Sequence, residues 1–96
     1  MSASTTLKFF VVDRCLAAVT PEAMALLQAA LVDASRRLTA RGETVRYLRS
    51  TYLPEHDRLL CLFEAGSAEA VRLVNETAQV PYRLIAEALE RPAPDT

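Results

Sequence analysis

Residues 45–65, VRYLRSTYLPEHDRLLCLFEA, constrain the fold of this chain more than any other stretch. Two runs rich in β-branched, aromatic and leucine residues flank the turn-forming segment Pro54–Asp57. A connection this short joins neighbouring strands antiparallel. In the simplest register Leu53 stands opposite Arg58. Side chains alternate between the two faces of a strand. Leu48, Ser50 and Tyr52 then share a face with Leu59, Cys61 and Phe63, and this mostly apolar set is predicted to meet the core. Tyr47, Arg49, Thr51 and Leu53 share the other face with Arg58, Leu60, Leu62 and Glu64. That second face mixes leucines with charge. It puts Glu64 opposite Tyr47, and Arg49 needs a partner there.

The flanking sequence supplies the remaining elements. LKFFVVDRC, residues 7–15, is aromatic and β-branched and reads as a first strand, buried on both faces for part of its length. Asp13 and Arg14 are read as charges at its exit. Residues 20–42 read as a helix. Thr20 is placed to N-cap, Pro21 suits the first helical position, and Glu22 complements the positive helix end. Met24, Leu27, Leu31, Ala34 and Leu38 form one stripe, and Gly42 closes the helix. Ser67 is placed to cap a second helix with Ala70, Val71, Val74 and Ala78 inward. Residues 83–90 suit either a helix or a strand; the preceding Pro81 and the need for a fourth strand favour a strand. The order strand, helix, strand, strand, helix, strand predicts an α+β, ferredoxin-like βαββαβ fold, an antiparallel sheet with both helices on one face.

Length and composition bound what such a domain does. Ninety-six residues make one domain, 1–96, with an ordered core expected over about 6–91 and a frayed end at APDT. A chain of this size buries only about 60–65% of its unfolded surface. Its 51% hydrophobic content therefore favours self-association, with the open faces of two sheets packing as a dimeric α+β barrel. A net charge of −1 provides no basic footprint for nucleic acid. MSASTT lacks a basic leader region, and no apolar run reaches the ~18 residues of a membrane helix, so a cytoplasmic location is expected. Cys15 and Cys61 lack motif spacing and read as reduced thiols packed like small hydrophobes. No nucleophile–base–orienter set, glycine-rich phosphate loop, CxxC or HExxH occurs.

Several motifs together resemble a known family, the small bacterial nickel-binding-protein-like proteins. Val45, Arg46, Ser50 and Tyr52 match its "VRW…HSY" strand, with Tyr47 where tryptophan is usual. Cys61 and Phe63–Ala65 match "CxYEAP". Glu69–Arg72 match the "EAVR" helix start, and Pro81 the proline that follows. The resemblance implies a ferredoxin-like homodimer and a nickel site. Its histidine ligands are missing here: Arg49 and Val74 stand in those positions. A protonated guanidinium does not ligate a metal. His56, between Glu55 and Asp57 in the hairpin turn, is the one weak metal candidate.

The resulting expectation is a homodimer that binds a small apolar or anionic ligand, without nucleic acid, membrane or cofactor; nickel enters by resemblance only. Tyr47, Arg49, Thr51, Glu64 and Asp13 are the candidate ligand residues. An Arg49–Glu64 ion pair across the hairpin is the plainest reading of Arg49. Two alternatives stand beside this. One is a small cofactor-independent monooxygenase, cyclase or isomerase in which Arg49 steadies a developing enolate or carboxylate, an analogy resting on fold. The other is retained nickel binding.

Overall fold

The computed structural model describes residues 6–95. The expectations for the leader region at 1–5 and for Thr96 lie outside the described residues. The strands are β1 (Lys8–Cys15), β2 (Val45–Leu53), β3 (Arg58–Ala65) and β4 (Leu84–Ala88); the helices are α1 (Pro21–Ala40) and α2 (Ala68–Thr77). The sheet runs β2-β3-β1-β4, and every neighbouring pair is antiparallel. The ambiguous last segment is therefore a strand. It pairs with β1 from Phe9↔Ala88 to Asp13↔Leu84 and forms one edge of the sheet.

Local chemistry sets the helix ends. The Thr20 hydroxyl accepts from the Ala23 N–H at 3.0 Å, which satisfies one of the donors a helix start leaves open. The C-terminus of α1 closes on Gly42, whose φ of +100° is open to glycine without steric cost. Gly42 N–H reaches the Thr39 carbonyl and Glu43 N–H the Leu38 carbonyl, each at 3.0 Å, a Schellman closure. Ser67 caps α2 through the Ala70 N–H at 3.2 Å.

Both helices pack on one sheet face. Leu31, Ala34 and Leu38 of α1 and Ala70, Val71 and Val74 of α2 meet Phe10 and Val12 of β1 and Leu59, Cys61, Phe63 and Ala65 of β3. Met24 and Leu27 extend the α1 stripe, half-buried. The opposite face carries Val11 and Asp13 of β1 and Leu60, Leu62 and Glu64 of β3. No helix among the described residues is long and apolar enough to cross a membrane.

Candidate functional site

The predicted hairpin register holds at the turn and fails at the start of β2. Leu53↔Arg58, Thr51↔Leu60 and Ser50↔Cys61 pair as expected. Between Tyr47 and Arg49 the register shifts, and Leu48 is the extra residue of a β-bulge. The shift re-aims everything before it. Tyr47 pairs with Phe63 and Glu64 with Arg46. Tyr47 therefore lies on the helix face, against the expectation that it stands beside Arg49 on the open one. Its ring centroid is 5.4 Å from that of Phe63, tilted by 53°.

The Tyr47 hydroxyl anchors a polar chain through the protein. Gln28 Nε2 on α1 donates to it at 2.8 Å, and it bonds Ser50 Oγ. Ser50 Oγ donates its proton to Cys61 Sγ at 3.1 Å. A hydroxyl has one proton, so Tyr47 is the donor to Ser50. This chain ties α1, β2 and β3 together, and it is where the buried Cys61 sits. Cys15, by contrast, is exposed at the end of β1, so its expected burial is not found.

Beside Tyr47 lies a half-open cavity of about 680 Å³ between the C-terminal half of α1 and the start of β2. Val32 and Ala40 from α1, Val45 and Tyr47 from β2, and Leu7 ahead of β1 form apolar walls. Two lining hydroxyls already have partners. Ser35 donates to the Leu31 carbonyl at 2.7 Å, and Thr39 Oγ1 donates to the Val45 carbonyl at 2.9 Å. The charges on the lining are Arg36, Arg46 and Glu64. Arg46 bonds Glu64 at 3.1 Å. Of the five candidate ligand residues, the structure brings Tyr47 and Glu64 to this cavity, and Arg46 completes the group.

The other three stand on the open face, as Glu64 does, but away from the cavity. Arg49 does not pair with Glu64, because the bulge gives that carboxylate to Arg46. Arg49 instead bonds Glu90 at 3.0 Å. Glu90 follows β4, and Arg49 is on β2 at the opposite edge, so the pair spans the open face. Thr51 is exposed. Asp13 is only 7% exposed and receives Arg58 Nε at 2.9 Å; Arg58 Nη2 also bonds it, and Arg83 lies 3.8 Å away. The hydrogen bond and charge of Asp13 hold the Arg58 guanidinium protonated more firmly than usual. His56 is exposed in the turn. Among the described residues no three His, Cys, Asp or Glu side chains gather to hold a metal ion.

Arg14 is the residue that sequence reasoning misplaced most. It is inside β1 rather than at its exit, and only 1% of it is exposed. Its guanidinium donates to Asn75 Oδ1 at 2.7 Å and to the Val80 and Pro81 carbonyls at 3.4 and 3.1 Å. Arg14 thereby supplies donors to two carbonyls of the α2–β4 connection. Alternation contained the signal: Phe10, Val12 and Arg14 share a face.

Four antiparallel strands in the order β2-β3-β1-β4, with two helices on one face, define a ferredoxin-like α+β domain. A family profile described as "Nickel responsive protein SCO4226-like" matches residues 10–87, and the chain belongs to that family. Among solved structures, the crystal structure of SCO4226 from Streptomyces coelicolor A3(2) is similar at a TM-score of 0.75 and 22% sequence identity. The match covers 88% of this chain and 99% of that one. At that identity the likeness shows the fold. No curated protein matches the chain.

Proposed function

We infer that this chain is a small-ligand-binding homodimer that works without a bound metal, within a family whose description names a nickel response. The observation that carries this reading is the α1–β2 cavity. Its volume of about 680 Å³ lies within the ~300–1,000 Å³ usual for small-molecule sites, and its walls are mostly apolar with a few polar groups. Tyr47 and Glu64 line it as ligand residues. Asp13, Arg49 and Thr51 serve the open face, where a second copy packs over Val11 and Leu60.

Nickel does not fit the donors present. The nickel-responsive description implies soft or imidazole ligands. Arg49 and Val74, which take the place of the family's histidines, offer none. His56 has only Glu55 and Asp57 beside it in sequence, and these three do not form a ligating group.

Nuclear magnetic resonance titration tests both halves. A fragment set of small apolar and anionic compounds is expected to shift the Val32, Ala40 and Tyr47 amides, and nickel chloride to leave the spectrum unchanged below millimolar concentration. Absence of any fragment shift at those three residues refutes the cavity as a site. Stoichiometric nickel binding refutes the metal-free reading.

A further inference from the structure

We propose that the α1–β2 cavity takes an amphipathic monocarboxylate, with Arg36 as the residue that holds its head group. The proposal rests on the reading of that cavity as a ligand site and adds the ligand's chemistry. Three observations support it.

The first is an unspent charge. Arg36 lines the cavity, yet it makes no hydrogen bond and no ion pair with any described residue. Its α1 neighbour Arg37 is already engaged, by Asp33 at 3.0 Å. A guanidinium offers five donors in a planar fork that matches a carboxylate in two parallel bonds. No described residue uses that fork.

The second is local balance. The charged residues on the cavity come from three elements: Arg36 from α1, Arg46 from β2 and Glu64 from β3. Arg46 and Glu64 cancel across their 3.1 Å bond. The cavity therefore holds an excess of one positive charge in a chain whose net charge is −1. One negative charge on a ligand completes the balance. A phosphate dianion exceeds it, and an amine opposes it.

The third is the shape of what remains. Beyond the arginines, Val32, Ala40, Val45 and Leu7 offer hydrocarbon, and the Ser35 and Thr39 hydroxyls are committed to backbone carbonyls. Thr44, just ahead of β2, adds one hydroxyl with no side-chain bond to a described residue, but the rest of the wall is hydrocarbon, so the body of the ligand is mainly apolar. A carboxylate on a hydrocarbon body meets both requirements.

The test compares decanoate with decan-1-ol by isothermal titration at low salt, on the wild-type chain, Arg36→Gln and Val32→Phe. Arg36 is exposed and unbonded, so Arg36→Gln leaves the fold intact, and circular dichroism verifies it. Decanoate is expected to bind at least tenfold tighter than the alcohol. Arg36→Gln is expected to bring decanoate down to the alcohol's affinity without moving the alcohol, and raised salt to weaken decanoate alone. Val32→Phe, which fills the cavity, is expected to weaken both. Equal binding of acid and alcohol, unchanged by Arg36→Gln, overturns the carboxylate assignment and leaves an apolar ligand site standing. Binding of neither compound to wild type, or binding untouched by Val32→Phe, overturns the cavity reading along with it.

Discussion

Replacing Asn75 with alanine is predicted to destabilise the protein far more than an average helix substitution, although Asn75 is a neutral residue. Asn75 is fully buried, and its Oδ1 is the nearest acceptor of a guanidinium that is itself 1% exposed. Arg14 has no carboxylate partner among the described residues. Its Nε is already enclosed without a hydrogen bond. Asn75→Ala strips a second donor of its partner, on a guanidinium already shut away from water. Hydrogen bonds to charged groups contribute ~1.5–3 kcal/mol, and an orphaned buried donor adds a desolvation cost. Alanine returns ~0.5 kcal/mol through its helix propensity. The net loss is about 2 kcal/mol. In a domain of this length each kcal/mol moves Tm by roughly 4–8 °C, so a fall of about 8–16 °C is expected.

Guanidinium chloride unfolding followed by circular dichroism measures this, with Thr77→Ala, exposed on the same helix, as the control. A double-mutant cycle with Arg14→Met identifies the cause. If the guanidinium is the reason, Asn75→Ala costs little once Arg14 is gone, and the coupling is about 1.5–3 kcal/mol. An Asn75→Ala loss within ~0.5 kcal/mol of the Thr77 control refutes the reasoning. So does an equal loss with and without Arg14.

Tyr47→Phe keeps the ring on Phe63 but removes the hydroxyl that joins Gln28 to Ser50, and a loss of about 1–2 kcal/mol is expected in the same unfolding assay. Glu69 is held below its ordinary value of 4.5 by its hydrogen bond to Arg72. Its contribution is therefore complete above pH 4.5 and lost as pH falls through the lower folded value, so urea midpoints of wild type and Glu69→Gln are expected to differ at neutral pH and converge in acid. Glu90→Ala frees Arg49 of an exposed pair whose contribution to the single chain is ~0–1 kcal/mol. If the open face is the contact between two copies, sedimentation velocity should show that variant dissociating at higher concentration than wild type, while a monomeric wild type rejects the homodimer.

The fold was legible because its elements are written in patterns with little competition. Thr20, Pro21 and Gly42 bracket α1 with cap chemistry that functions as expected. The short link after Leu53 leaves β2 and β3 no choice but to pair antiparallel. The last segment was ambiguous locally, and only the sheet decides it: β1 is central and has two edges to satisfy, and Leu84–Ala88 takes the second. Arg14 and Asp13 were legible in alternation but were outvoted by charge. Two adjacent charges look like a strand's end, and it takes Asn75, sixty-one residues away, to make burial of the first tolerable. Arg58 does the same for Asp13 from β3. Partners that distant in sequence leave no mark on the segment itself. The cavity was illegible for a similar reason, since its arginines come from two elements, Arg36 from α1 and Arg46 from β2.

The bulge at Leu48 decides where the site is, and its physical reason lies in Arg46. Unbroken alternation back from Tyr52 puts Ser50, Leu48 and Arg46 on the face that meets the helices. That register buries a guanidinium against hydrocarbon with no carboxylate nearby, at a cost of several kcal/mol. One extra residue in the edge strand exchanges the set: Val45 and Tyr47 turn inward, and Arg46 turns out to Glu64 with 71% of its side chain exposed. The same exchange brings the Tyr47 hydroxyl to Gln28 and sets Tyr47 and Arg46 together on the cavity wall. A local irregularity that spares the core a charge is thereby what assembles an apolar wall and a guanidinium at one place.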